Sequence, residues 1–206
     1  LTTMEKEIFI IRHGQTDYNK RGIIQGSGID SEINEIGRLQ ARAFHETYQE
    51  KPFQLVITSE LQRTQQTVAG FIDRGIPWIR MPEINEISWG KYEGLERSEE
   101  TIRVFDHIVG AWQSGRFDVR PEAGESAAEL ESRLRVFVDF LVKRPEKNIL
   151  VCTHGRTLRC LMCILEGRDI SLMDEYLHDN TGLYRLNFRG LQFHTALKND
   201  LMHLKG

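Results

Sequence analysis

Cysteine is scarce in this sequence, and the few residues present favour neither disulfides nor metal binding. Three cysteines occur among 206 residues, and an odd number argues against a secreted disulfide framework. Cys160 and Cys163 form a C-x-x-C motif, but they lie inside an apolar run rather than at a helix start, where a thiolate would be stabilised. Because no second pair completes a zinc site, we expect both to be small buried hydrophobes.

Long apolar runs and an excess of basic charge are also missing. No run approaches the roughly 18–20 residues of a membrane span, and the formal net charge is only −3. Acids and bases are mixed along the chain, which predicts no nucleic-acid or membrane partner. The first apolar strand follows no signal-type region, which favours a cytoplasmic protein. A small phosphorylated metabolite would need a local basic pocket, and the oligomeric state is not readable.

Repeats, low-complexity tracts and flexible linkers are absent as well, which favours one domain over residues 1–206. Short apolar runs alternate with helical patterns, as in α/β proteins. The runs 8–11, 55–57 and 149–152 are unbroken rather than alternating, which is typical of strands covered on both faces. We predict a three-layer α/β/α sandwich around a mostly parallel central sheet.

Three helices can be predicted from start signals and apolar spacing. Ser59 with Gln62, and Ser126 with Glu129, each fit a capping box. A third helix covers about residues 35–50. The side chains predicted to face inward are Leu61, Thr64, Val68 and Phe71 in the first helix, Ala127, Leu130, Leu134, Phe137 and Leu141 in the second, which Pro145 ends, and Ile36, Leu39 and Ala43 in the third.

Two further segments complete the prediction. The stretch 94–125 is the least regular, combining glycines, charges and Trp112, and we interpret it as a short insertion over the sheet edge that caps the substrate. Leu183–Phe188 and Leu191–Leu197 flank Arg189-Gly190, which predicts a β-hairpin.

Two predicted strands end in the same way, with histidine followed by glycine. The first gives Arg12-His13-Gly14 and the second gives Thr153-His154-Gly155. Ligands of open α/β sheets bind at the carboxyl ends of the strands, and glycine lets the backbone approach closely. One such histidine would be an ordinary turn residue, but two at equivalent strand ends predict a shared site.

Two other segments add groups that bind phosphate. Residues 15–19 and 25–28 are rich in amides, hydroxyls and glycines, whose N–H groups can form an anion-binding nest, although no Walker motif is present. Arg63 falls in the first turn of a predicted helix, where a cation opposes the helix dipole. A solvated surface arginine is the alternative if this segment is considered alone.

Taken in order, these motifs cover nearly the whole chain. They are Arg12-His13-Gly14-Gln15-Thr16, Asn19, Gln25-Gly26, Ser59-x-Leu61-x-Arg63-Thr64-x-Gln66-Thr67, Asn85-Glu86-Ile87, Gly90-Lys91-Tyr92-Glu93-Gly94, Gly124-Glu125-Ser126, Thr153-His154-Gly155, Asn180-Thr181, Asn199-Asp200 and His203-Leu204. The set resembles the histidine phosphatase superfamily, also called the phosphoglycerate mutase family. His154-Gly155, in place of His-Asp, is similar to the phosphoglycerate mutase-like branch rather than to the acid phosphatases.

The resemblance implies roles for particular residues. His13 would be the nucleophile that forms a phosphohistidine, and Glu86 the general acid and later base, with Glu83, Glu93 and Glu96 as less favoured rivals. No metal or cofactor is implied, because arginines would stabilise the charge that Mg²⁺ stabilises elsewhere. Residues implied to be catalytic or to bind phosphate also include Arg12, Gly14, Thr16, Asn19, Gln25, Gly26, Arg63, His154 and Gly155.

The substrate and the exact reaction remain open at this point. Many members carry Arg where this chain has Ile23 and Pro where it has Glu32, so substrate contacts in that loop differ. We favour a phosphatase of small monoesters, because mutases of the family have a longer insertion and tail. The alternatives are mutase-type phosphoryl transfer and a non-catalytic phospho-ligand binding module. Side chains that could bind a second anion are Lys91, Arg97, Arg103, Arg116 and Arg120, and Trp112 and Phe117 could line an apolar pocket.

Overall fold

Six strands form one sheet in the computed structural model, which describes residues 5–205, so that residues 1–4 and 206 of the predicted domain lie outside the description. The sheet order is β3-β2-β4-β1-β5-β6. β5 runs against its two neighbours, and the other strands share one direction. The strands are β1 (Lys6–Arg12), β2 (Leu55–Thr58), β3 (Trp78–Arg80), β4 (Asn148–Thr153), β5 (Leu183–Arg189) and β6 (Gln192–Asp200).

Both faces of the sheet are covered by helices, which confirms the predicted three-layer α/β/α fold. Ile8 and Ile10 of β1 join one apolar cluster, whereas Phe9 and Ile11 join the other. Burying each of these side chains contributes roughly 1.5–3 kcal/mol. The helices are α1 (Asp17–Arg21), α2 (Glu35–Tyr48), α3 (Gln62–Thr67), α4 (Ala69–Asp73), α5 (Glu99–Gln113), α6 (Ala127–Lys143) and α7 (Gly155–Glu166), of which α5, α6 and α7 cover the first face and α2 and α4 the second.

Helix α6 follows its sequence signals closely. The Ser126 hydroxyl accepts from the Glu129 N–H, and the Glu129 carboxylate accepts in return from the Ser126 N–H. The five predicted core side chains are fully buried. The helix ends at Lys143, because the residue before Pro145 is extended, with ψ of 140° at Arg144.

The predicted capping box at Ser59 is wrong. Helix α3 begins at Gln62 with Leu61 as its N-cap, and the Ser59 hydroxyl instead accepts from the Leu61 N–H and bonds to His154. The Ser59 hydroxyl therefore stabilises the turn before α3 and the His154 side chain, and it does not cap the helix. The predicted helix also breaks at Val68, although its four predicted inward side chains are buried.

The predicted inward face of α2 is also wrong. Ile36 and Leu39 are 46% and 56% exposed, whereas Gly37 and Phe44 are buried. The cause is a close backbone approach: a Cβ on Gly37 would overlap the backbone oxygen and nitrogen of Gln15. Only glycine fits there, so Gly37 rather than the larger apolar residues faces the sheet.

The insertion 94–125 contains more regular structure than predicted. Its centre is the 15-residue helix α5, whose N-terminus is capped by Ser98 and Thr101. Trp112 is buried, and its indole N–H donates to the Val119 carbonyl at 2.8 Å, which is packing rather than a pocket wall. The predicted hairpin is confirmed, with Gly190 and Leu191 at positive φ in its turn.

Candidate active site

Three neighbouring parallel strands bring their following residues to one edge of the sheet. Arg12 of β1 is paired with Thr153 of β4, and the His13 N–H donates to the Thr153 carbonyl at 3.0 Å. The rings of His13 and His154 lie 5.2 Å apart between centroids. The predicted meeting of the two strand-end histidines is thus present in the structure.

His13 is held in one tautomer by its own backbone. Its Nδ1 lies 2.7 Å from the Gly14 carbonyl, which can only accept, so Nδ1 carries the proton and Nε2 keeps its lone pair. Burial, followed by the positive charges of Arg63 and Arg12, lowers the pKa of His13 well below 6.5. The imidazole is therefore neutral at physiological pH, as a nucleophile must be.

His154 is bonded through both ring nitrogens. Its Nδ1 accepts from Nε of Arg63 at 3.1 Å, so Nε2 carries the proton and donates to the Ser59 hydroxyl at 2.8 Å. Burial, followed by the charge of Arg63, lowers the pKa of His154 well below 6.5. This neutral ring orients the buried Arg63 guanidinium, which also donates to the carbonyls of Gly26 and Ile29.

Arg12 brings a second guanidinium to the same place. Its Nη1 donates to the His178 carbonyl at 2.7 Å, but its buried Nε meets no acceptor anywhere in residues 5–205. Burial lowers the pKa of Arg12 and of Arg63 to about 10, so both remain charged at neutral pH. A buried cationic N–H without a partner is costly, and an anion would satisfy it.

Glu86 is buried at the first turn of α7. Its Oε2 accepts from the N–H of Arg156 at 3.1 Å, and its Oε1 accepts from the N–H and hydroxyl of Thr157 at 3.0 Å. The first N–H groups of a helix have no partner within the helix, so a carboxylate fits here. A Cβ on Gly155 would lie 3.7 Å from Oε2 and 3.5 Å from Arg12 Nε, which places this carboxylate beside the guanidinium.

The loop after His13 supports the site mostly through internal bonds. The Thr16 hydroxyl accepts from the Asn19 N–H and from the Gln25 amide, whose oxygen accepts from Ser31. The N–H of Gly14 is taken by Thr67 at 2.8 Å. Gln25 and Gly14 thus shape the loop, and Asn19 is linked to the His13 backbone through Asn180, which donates to both Asn19 Oδ1 and the His13 carbonyl.

Two of the three rival carboxylates have other partners. Glu93 accepts from the Trp89 N–H at 2.8 Å and packs against Gly26, and Glu96 pairs with Arg21 at the surface. Across residues 5–205, no three histidine, cysteine or carboxylate side chains are grouped to hold a metal ion. Nor does any helix in the described part of the chain have the length and apolar character needed to cross a membrane.

The sequence profile of the histidine phosphatase superfamily, branch 1, matches residues 8–201. The chain belongs to this superfamily. A 2,3-bisphosphoglycerate-dependent phosphoglycerate mutase of Methylobacterium radiotolerans is 33% identical, over 89% of this chain and 91% of its own length. The structure of the α-ribazole phosphatase from Shigella flexneri has a TM-score of 0.83 at 25% identity, covering 94% and 96% of the two chains. A mycobacterial glucosyl-3-phosphoglycerate phosphatase shares the fold, with a TM-score of 0.80 at 23% identity over 96% and 100%.

This histidine phosphatase also uses residues that sequence reasoning did not single out as site residues. Ser59 bonds His154, His178 bonds Arg12, and Asn180 holds the His13 carbonyl. Ser59 and Asn180 lie in motifs that carry the family resemblance, and those motifs could have marked them as site residues. His178 lies between motifs, and nothing in its local sequence marks it.

Proposed function

We propose that this histidine phosphatase hydrolyses small phosphate monoesters through a phosphohistidine on His13. The observation that supports this best is the Nδ1 hydrogen bond to Gly14, which leaves the Nε2 lone pair available for attack. The unpaired Nε of Arg12 beside it calls for an anionic ligand. A phosphoryl oxygen meets both requirements, because it can accept from the guanidinium while its phosphorus meets the nitrogen.

The proposed reaction has two steps. Nε2 of His13 attacks phosphorus, the ester P–O bond breaks, and the leaving alkoxide takes a proton from Glu86. Water then attacks the phosphohistidine while Glu86 takes its proton back, which releases inorganic phosphate and free His13. The proton that Glu86 gives to the alcohol in the first step returns to it from the attacking water in the second, so the cycle closes.

Charge on the transferred group is stabilised by fixed donors. Arg12 and Arg63 would contact its equatorial oxygens, and Asn19 would add a neutral donor. His154 acts mainly by holding Arg63 in place, since its ring nitrogens bond to Arg63 and Ser59. The segment 94–125 would cap the approach to the site, because Phe105 of α5 lies against the Arg156 guanidinium.

The test is phosphate release together with trapping of the phosphoenzyme. Wild-type protein mixed with an excess of phosphate monoester and quenched in alkali should carry one acid-labile phosphoryl group, located on His13 by mass spectrometry. His13→Asn should form none, whereas His194→Asn, an exposed histidine on β6, should form as much as wild type. Phosphate release by His13→Asn at the wild-type rate would exclude the proposal.

Mutase activity is the second candidate, because a curated mutase is 33% identical. Incubation with 3-phosphoglycerate and a bisphosphoglycerate primer separates the two reactions. We expect phosphate release that exceeds isomer formation. Isomer formation without phosphate release would favour the mutase, and a protein with neither activity nor phosphoenzyme would be a binding module.

A further inference from the structure

A groove of about 190 Å³ opens between α5 and the loop after α1, and the proposed chemistry uses none of its residues. Most of its lining is apolar, from Ile24, Tyr92, Leu95, Ile102 and Phe105. Apolar concave surfaces with few polar groups are the usual form of a small-molecule site.

The groove has no excess of either charge. Its charged lining residues are Arg97 and Asp106, of opposite sign. Ile23, which precedes the lining residue Ile24, is buried and apolar and adds no charge. A second phosphate or a carboxylate would therefore meet no surplus cation in this groove, whereas an uncharged apolar group would match it.

The guanidinium groups of α7 are not part of the groove lining. Arg156 and Arg159 both donate to Oδ1 of Asp174, at 2.6 and 2.7 Å, and are largely buried. Asp174 balances one of these two charges, and the buried Nε of Arg159 meets no acceptor within residues 5–205. A second anion on the substrate would have to compete with Asp174 for them.

Both walls of the groove are joined to the proposed chemistry. On one side, the Gly22 N–H donates to the Asn19 carbonyl at 3.1 Å, so the groove begins one turn from the loop amide of the site. On the other side, the Phe105 ring lies 5.8 Å from Arg156 Cζ, and the N–H of Arg156 donates to Glu86 at 3.1 Å. Through Phe105 and Arg156, one wall of the groove is thus linked to Glu86, the proposed proton donor to the alcohol.

We propose that this groove holds the alcohol part of the substrate and selects uncharged, apolar alcohols that bear a single phosphate. The inference rests on the proposed phosphatase function and specifies its substrate class. Transfer of an apolar alcohol from water into the groove lowers its free energy. A carboxylate or second phosphate would instead lose its hydration in the groove without gaining a partner.

The test compares two primary alkyl esters, so that the leaving groups are similar. Wild-type kcat/KM for 3-phenylpropyl phosphate should exceed that for 3-phosphoglycerate at least about tenfold. Leu95→Arg adds a cation at a half-exposed groove position and should lower kcat/KM for the phenylpropyl ester about tenfold, without lowering that for 3-phosphoglycerate. Leu39→Arg, the same change at an exposed site on α2, should alter neither.

Two outcomes would overturn the inference while leaving the proposed function standing. One is a wild-type preference for 3-phosphoglycerate with phosphate release. The other is a Leu95→Arg variant whose kcat/KM for the phenylpropyl ester stays within about twofold of wild type. If neither ester is hydrolysed and no phosphoenzyme forms, the proposed function itself fails, and this inference fails with it.

Discussion

The ends of β1 and β4 carry the same dipeptide, histidine then glycine, but the two histidines are held differently. One ring nitrogen of His13 bonds to the Gly14 carbonyl, and the other is left available to the site. In His154, one ring nitrogen bonds to Arg63 and the other bonds to Ser59. Both rings are buried, and in both cases burial lowers the pKa well below 6.5.

The difference shows that neutrality and burial do not by themselves define a nucleophile. What distinguishes His13 is a nitrogen left available after the backbone has fixed the tautomer. Both ring nitrogens of His154 are already hydrogen-bonded, and its ring holds the Arg63 guanidinium in position. In the proposed mechanism the two strand ends therefore supply one reacting group and one positioning group, and mutations should separate them.

The largest expected effect comes from exchanging the two histidines for alanine in turn. His13→Ala should lower kcat/KM by about 10⁴-fold or more, because the nucleophile is lost. His154→Ala should lower it by about 10- to 100-fold, because Arg63 loses an acceptor but remains in the site. Steady-state kinetics and phosphoenzyme trapping would measure both effects.

The contrast also predicts which variant still forms the intermediate. His154→Ala should accumulate phosphoenzyme slowly, whereas His13→Ala should accumulate none. If kcat/KM fell equally in the two variants and neither formed a phosphoenzyme, His154 would take a direct part in the chemistry. The two histidines would then not differ in role.

The next effect concerns Glu86, which borders the end of β4 through the first turn of α7. Glu86→Gln should lower kcat by about 10²- to 10⁴-fold for an alkyl phosphate, whose alkoxide needs a proton. For p-nitrophenyl phosphate, whose leaving group needs none, phosphoenzyme formation should change much less. Pre-steady-state kinetics with both esters would test this, and equal losses for the two would argue against a proton-transfer role.

Much of the site could be predicted from the sequence because its residues follow strands. The unbroken runs ending at Ile11 and Cys152 marked two buried strands, and parallel neighbours must bring their ends to one edge. His13 and His154 were found in this way. Glu86 was found through the family resemblance, since its partners at Arg156 and Thr157 lie 70 and 71 residues further on.

The errors arose where tertiary contacts override local patterns. Ser59 has the spacing of a helix cap, but its hydroxyl is used by His154. Ile36 and Leu39 have helical apolar spacing, but the close fit of Gly37 turns that face of α2 outward. His178 contacts Arg12 only in the folded protein, because the two are 166 positions apart in the sequence, so sequence spacing could not reveal the contact.

A smaller effect should distinguish the glycines that follow the two histidines. A Cβ on Gly14 would lie 2.7 Å from the Gly37 carbonyl oxygen, a backbone atom, so Gly14→Ala should destabilise the protein by about 1–3 kcal/mol. On Gly155 it would lie 3.5 Å or more from its nearest neighbours, Arg12 and Glu86. Gly155→Ala should therefore keep its stability within about 1 kcal/mol but lower kcat/KM, because the methyl group occupies space beside Arg12 Nε. Urea denaturation and kinetics would separate these outcomes, and a Gly155→Ala variant with wild-type activity would contradict the second.

The smallest effect concerns the pH dependence of stability and His178, the imidazole that contacts Arg12 at the end of β1. Burial, followed by the charges of Arg12 and Arg159, lowers the pKa of His178 to about 4. Between pH 6.5 and about 4 the unfolded chain therefore binds a proton at this residue that the native protein does not, so stability falls as the pH falls. His178→Asn keeps an acceptor near Arg12 but cannot titrate. Its unfolding free energy should fall less steeply than that of wild type, by up to about 1.4 kcal/mol per pH unit across this window. Urea denaturation at pH 4.5, 5.5, 6.5 and 7.5, on the order of one pH unit apart, would measure the two slopes, and parallel slopes would show that His178 titrates alike in the folded and unfolded states.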